Sequence, residues 1–214
     1  MVSQERAERT RQRLLQAAAT EFAQHGYGGT SLQRISSAAG VTMGALTFHF
    51  PTKIDLAGAV HAHGSALTRA AVEHVAAAHA DTTDSDHDNS PVLQRVIGVT
   101  HALARLLHEE ATVRAAGRLS RERTLGQVDW NDSWLPCVDE LLERADEKKE
   151  LRAGVDPKIV ALLTRYLVSG LEASAQPTGG CSSHLRTLSE VWDVVLSGAT
   201  GAGRRRPRTR DRAY

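Results

Sequence analysis

Cysteine is scarce, with Cys137 and Cys181 the two present among 214 residues. One pair cannot build a disulfide scaffold, and both read as plain buried or half-buried thiols. Aromatic residues make up only 4% of the chain, while alanine and leucine abound, a bias toward helix. No apolar run approaches the ~18 residues that would cross a bilayer, and no secretory apolar segment opens the chain. A soluble, cytoplasmic protein is expected, without a membrane partner. Nucleophile-elbow, phosphate-loop and dinucleotide motifs are missing as well. No convergent acid, base or nucleophile set can be assembled, so neither catalysis nor a cofactor is expected.

Ten histidines invite a metal reading that their spacing does not support. His61 and His63 diverge on a helix. His101 and His108 share a face but stand ~10 Å apart along the axis. Neither pair has the i, i+4 spacing of a helical zinc site. Solvated surface histidines are the expectation, with no metal.

Net charge is also nearly absent, at +1, so the total gives no bulk attraction to a polyanion. Its distribution is uneven. The stretch RRRPRTRDR, Arg204 to Arg212, carries six arginines and one aspartate, hence +5, which leaves the remainder at −4. A basic, disordered tail is expected over 201–214, attracting phosphate or merely solubilising.

What the sequence does contain is a 3.6-residue period in nearly every segment, and no sustained alternation of period two. An all-α fold follows. Leu14, Leu15, Ala18 and Phe22 mark a first helix stopped by Gly26, and Thr30 or Ser31 caps a second that ends at Gly40. Thr42 caps a short third, and Thr52 to Asp55 offers a capping-box start to a long helix toward Ala80. The polar run DTTDSDHDNS is a loop. Ser90-Pro91 and Asp156-Pro157 each place a cap before a proline. Helices are expected from Val92, over Ala111 to Arg123, Trp134 to Glu150, Ile159 to Ser174 and His184 to Leu196. The first three are expected to be small and the later ones long.

The division expected is 1–52 as a three-helix, helix-turn-helix domain whose tail continues into the next helix. A larger helical ligand-binding and dimerisation domain would occupy 53–200. Two helices joined by a short glycine turn at Ala39-Gly40-Val41 set the second to enter a DNA major groove. Thr42 and Thr47 offer hydroxyls there, Gly44 and Ala45 permit close approach, and His49 can reach phosphate or base. Ser31 stands at a helix N-terminus, where amides attract phosphate. Lys53 adds positive charge at the next, and Arg6, Arg9, Arg11 and Arg13 could lie along the DNA backbone. An ordinary three-helix packing unit without DNA has the same spacing.

The ordered words FAQHGY, TSL, IS-AAGV, GAL-FHF and K-DL, from about Arg9 to Val60, resemble the tetracycline-repressor (TetR) family of bacterial regulators. The FHF variant with GVT and GAL is most similar to its γ-butyrolactone-receptor branch from antibiotic-producing actinomycetes. That resemblance implies a homodimeric repressor on pseudo-palindromic double-stranded operator DNA, released by a small signalling lactone. Two positions depart from the branch: Met43 stands where lysine is usual, and Thr47 where the family usually has a phosphate-contacting tyrosine. Met43→Lys is therefore expected to alter the DNA sequences selected from random duplexes, and unchanged selection would place Met43 off the DNA.

Farther on, DWNDSWLPCVDELLERADEKKELRAGVDP resembles the receptor branch around its pocket tryptophan, which implies that Trp130 lines a ligand pocket. An indole supplies a flat apolar wall and one N–H donor. Leu103, Leu107, Leu119, Trp134 and Val168 are further wall candidates, although each also reads as core. The segment between Glu122 and Trp130 is short relative to receptor relatives. An effector that is an antibiotic or pathway intermediate, or a regulator without a ligand, thus stays open beside the lactone. An all-α small-molecule enzyme keeping the motif as scaffold is the competing class.

For dimerisation the resemblance implies a four-helix bundle of the last two long helices, with Leu162, Tyr166, Leu188, Val191, Trp192 and Val195 on it. Leu163 and Leu171 share those helices, and core packing competes for all of these residues. Gly58 and Gly64 interrupt the long helix after Thr52 and suggest flexible points, through which a ligand would change the spacing of two recognition helices.

Overall fold

The computed structural model describes residues 2–77, 91–174 and 181–199. The expected loop at 81–90, the Ser90 cap, the helix toward Ala80, the Cys181 side chain and the arginine-rich end lie outside the described residues. Among those described, all regular structure is helical. The elements are α1 (Val2–His25), α2 (Leu32–Ala39), α3 (Met43–His49), α4 (Lys53–Ala77), α5 (Val92–Glu109) and α6 (Ala111–Arg121). A 3₁₀ turn, Trp130–Ser133, precedes α7 (Leu135–Glu147), α8 (Pro157–Ser174) and α9 (Cys181–Ala199). The first helix is not small: its 24 residues take Arg6 to Arg13 into regular helix ahead of the apolar face.

Local signals set most of these boundaries. Gly26 and Gly40 adopt left-handed φ of 68° and 62° and end α1 and α2. Ser31 and Thr42 cap α2 and α3 by accepting from the amides of Arg34 and Ala45, each at 3.2 Å. Thr30 is a buried brace instead, its hydroxyl turned onto the Gly26 and Glu21 carbonyls. Thr52 and Asp55 form the reciprocal box, Thr52 N–H to Asp55 Oδ2 at 3.0 Å and Asp55 N–H to Thr52 Oγ1 at 3.2 Å. Asp156 accepts from Lys158 N–H at 2.9 Å and starts α8. The start of α5 is capped from afar: the Glu150 carboxylate accepts from Val92 and Leu93 N–H at 2.8 and 2.9 Å.

Two apolar cores result. One gathers Leu14, Ala18, Phe22, Ile35, Leu46 and Phe50 with Leu56, Ala57 and Val60 of α4 and Ala115 and Leu119 of α6. The other holds Leu103, Leu107, Trp130, Trp134, Val138, Val168, Leu188 and Trp192. Helices α4 and α6 thus run through both cores.

They touch at Gly64, which is no flexible point. A Cβ there would lie 2.5 Å from the Thr112 carbonyl oxygen and 2.7 Å from Ala116 Cβ, so glycine is what lets α4 and α6 pack this closely. Gly58, by contrast, faces open space.

A second joint lies at the end of α6. Arg118 donates to the Ala23 and Gln24 carbonyls, each at 3.0 Å, at the C-terminus of α1. Glu122, bound to Arg118 at 2.9 Å, accepts from Tyr27 N–H at 2.8 Å.

Candidate nucleic-acid interface and effector site

Helix α3 is seven residues long and held by one deep anchor, Leu46, with Phe50 buried just beyond it. Thr42, Met43, Gly44, Thr47 and Phe48 are exposed around it, while Ala45 and His49 are half-buried. The hydroxyls differ in what they can offer. Thr42 accepts from its own helix and keeps its proton free to donate, but Thr47 donates to the Met43 and Gly44 carbonyls at 3.1 and 3.2 Å. Toward a partner Thr47 is therefore an acceptor and a methyl group. No atom lies within 4 Å of a Cβ built on Gly44, so the centre of this face is open to a close-approaching surface.

Phe48 is the residue that the sequence reading missed. It is 80% exposed, edge-on to the His49 ring. At 100° per residue it stands about 200° from Leu46, opposite the anchor, so a helical wheel could have placed it on the outer face. An exposed phenyl ring at a groove-reading helix suits contact with a thymine methyl.

Several expected cations are engaged. Arg13 donates to the carbonyls of Ala39 and Gly40, capping the C-terminus of α2 rather than pointing outward. Arg11 stacks on Phe50, and Lys53 places its Nζ 4.1 Å over the Tyr27 ring. Arg6 and Arg9 are exposed on α1, and Ser31 is exposed at its cap.

Around Trp130 the predicted chemistry is rearranged. Trp130 is 1% exposed, and its indole N–H donates to Thr68 Oγ1 at 2.9 Å, so that donor is already occupied. The neighbouring Trp134, its ring 6.2 Å away, is fully buried with no partner for Nε1 among the described residues. Leu103, Leu107 and Val168 share this core, whereas Leu119 packs into the N-terminal core. The free cysteine Cys137 is half-buried, and burial pushes its thiol pKa up, consistent with an unreactive group.

His61 is buried, not a solvated surface histidine. Ser120 Oγ donates to the Ala116 carbonyl and accepts from Trp130 N–H at 2.8 Å, so His61 Nε2, 2.9 Å away, is the donor to it. Burial lowers the His61 pKa from its ordinary value near 6.5, against the pull of Asp129 and Asp132. The unfolded chain therefore binds the proton more readily, and stability present above pH ~6.5 is lost as the pH falls below it. A melting series across pH 5 to 8 is expected to show that loss, with a smaller slope in His61→Gln. Equal slopes would contradict a neutral buried ring. Of the other histidines, His101 bonds Ser189 at 2.9 Å and His63 is exposed; the described residues contain no metal-holding cluster.

On the last two helices, Leu188 and Trp192 turn inward, and Trp192 N–H donates to Thr100 Oγ1 at 2.9 Å. These two residues are not at an outer surface, contrary to the expectation for a dimer face. Leu162 and Tyr166 are exposed, and Ile159 and Val194 join them at 62% and 72%; Val191 and Val195 are half-buried.

A short presented helix on a three-helix unit, joined by shared helices to a second helical core, defines the helix-turn-helix regulator class. Residues 14–60 match the model for bacterial regulatory proteins of the tetR family. Over 198 residues the chain is 27% identical to the A-factor receptor protein of Streptomyces griseus, covering 92% of this chain but 66% of that protein. Among solved structures, a γ-butyrolactone receptor (ArpA-like protein) superposes with a TM-score of 0.71 at 27% identity, over 92% of this chain and 91% of that one. CprB from Streptomyces coelicolor, in complex with its operator sequence, gives the same 0.71 and 27%, with coverage of 92% and 91%. Residues 14–60 thus carry a tetR-family regulatory domain, and the chain is similar, over most of its length, to γ-butyrolactone receptors. Among the described residues no helix is long and apolar enough to cross a membrane.

Proposed function

We propose that this protein is a cytoplasmic, homodimeric transcriptional repressor that binds operator DNA through α3 and leaves it when a small molecule binds. The observation that carries the DNA part is the outer face of α3: Thr42, Met43, Gly44, Thr47 and Phe48 are exposed together on a helix anchored by Leu46. Thr42 donates to a base or phosphate acceptor, Gly44 and Ala45 allow close approach, and Phe48 meets a methyl-bearing edge. His49 and Lys53 lie nearest the backbone, with Ser31 at the start of α2. Similarity to CprB, solved on its operator, supports this reading.

Dimerisation is assigned to Ile159, Leu162 and Tyr166, spaced i, i+3, i+7 on α8, together with Val191 and Val194 of α9. Two copies give a two-fold pair of recognition helices for half-sites about 34–36 Å apart or a multiple of that. The domain division keeps 1–52 as the reading unit and assigns 53–200 to effector binding and dimerisation.

The effector pocket is assigned to the second core, among Leu103, Leu107, Trp130, Trp134 and Val168. An orphaned buried N–H costs about 1–3 kcal/mol, and the Trp134 indole carries one. A ligand carbonyl, such as that of a lactone, would supply its acceptor. Trp134→Phe is accordingly expected to weaken effector binding about tenfold, and to lower the melting temperature of the free protein by less than an ordinary loss of buried ring volume, because the orphaned donor leaves with the indole. Undiminished effector binding would contradict this. The whole reading is tested by selecting bound duplexes from a random pool and then screening neutral lactones and other small molecules for release.

A further inference from the structure

Beside the apolar core, a cleft of about 270 Å³ opens between the end of α6, the Trp130 turn and α8. Its lining is charged and polar: Arg121 and Arg123 after Gly117 and Ser120, then Arg165, Ser169 and Glu172 on α8, with Asp129 and Asn131 at the turn. Both carboxylates are internally occupied. Asp129 Oδ1 accepts from the backbone and side-chain nitrogens of Asn131, each at 3.0 Å, and Glu172 is bound by Arg121. Arg123 and Arg165 have no acidic partner among the described residues. We propose that this cleft is a binding site for the carboxylate or phosphate group of a small molecule.

Three guanidiniums facing two acids leave one positive charge in excess, and planar guanidinium forks match carboxylate and phosphate oxygens. The cleft is walled by helices on two sides, so an anion there is partly withdrawn from water and held more strongly than on an open surface. Burial pushes the Glu172 carboxyl above its ordinary range, against the pull of Arg121. The ligand would act where it matters: Arg121 is one residue from Glu122, which holds Tyr27 at the end of α1. That last consequence rests on the repressor reading, whereas binding itself does not.

Calorimetric titration of the full chain without DNA separates the two. The probes are hexanoate, hexyl phosphate and the neutral hexanamide, at low and high sodium chloride. Hexanoate or hexyl phosphate is expected to bind one per protomer, at least tenfold more tightly than hexanamide, and more weakly in salt. Arg165→Gln and Arg123→Gln, both at exposed positions, are each expected to weaken the acid about tenfold with an unchanged melting temperature. Preference for the carboxylate or for the phosphate names which acid the site takes, and either supports it. Equal binding of hexanamide, no binding of either acid, or undiminished binding by both variants would overturn the proposal, whatever the protein does with DNA.

Discussion

Gly64→Val is expected to lower the melting temperature by about 6–12 °C. The hydrogen of Gly64 faces the Thr112 carbonyl, and any Cβ there would come within 2.5 Å of a backbone atom that cannot rotate away. Accommodating valine requires α4 and α6 to part along a contact lined by Ala116 and shared by both apolar cores. Overpacking of this kind costs about 3 kcal/mol or more, and each kcal/mol shifts a domain of this size by about 2–4 °C. Alanine at 64 also clashes, with its better helix propensity of about 1 kcal/mol offsetting part of the cost. Gly58→Ala is the internal control: its Cβ meets open space, so the same propensity gain should appear as a small rise in melting temperature. Thermal unfolding of the three variants reads the difference. A neutral Gly64→Val would show that α4 and α6 are not in the contact described.

Gly44→Glu is expected to reduce operator affinity about 100-fold or more while leaving the melting temperature unchanged or slightly raised. Nothing surrounds the position, so the fold has no reason to object, and glutamate is the better helix former. The same openness is what a closely approaching groove would use. A carboxylate there meets phosphate charge and blocks the approach, and each lost base contact contributes roughly 1–3 kcal/mol in every half-site. Fluorescence anisotropy on a selected duplex, beside a melting curve, separates binding from folding. Retained affinity would place α3 away from the DNA.

The parts of the fold legible in the sequence are those settled within three or four residues. Ser31, Thr42 and Asp156 as caps, the Thr52–Asp55 box and the left-handed glycines at 26 and 40 all act on neighbouring amides, and the chain order displays them directly. What escaped notice spans long separations. Arg13 closes the end of α2, Glu150 caps α5, and Arg118 with Glu122 ties α6 to α1 across about 95 residues. Periodicity says which positions share a face but not which face is turned inward. That is why Leu188 and Trp192 read as a surface, and Ile159 and Val194 went unremarked. Leu119 failed differently: α6 serves both cores, and one helical stripe cannot reveal which partner each turn meets. At Trp130 the sequence located an indole, but its N–H goes to Thr68, and the donor left without an acceptor belongs to Trp134. The glycines divide on the same ground, since Gly64 and Gly58 look alike until the opposing helix is in place.

The most direct measurement is equilibrium binding of the purified full chain to a random double-stranded pool at low salt, with the protein-to-duplex ratio fixed by mass. The account requires enrichment of a two-fold symmetric sequence bound by two protomers, weakening steeply as salt rises. Failure to retain any duplex at low salt, or enrichment of one lone half-site by a single protomer, contradicts it.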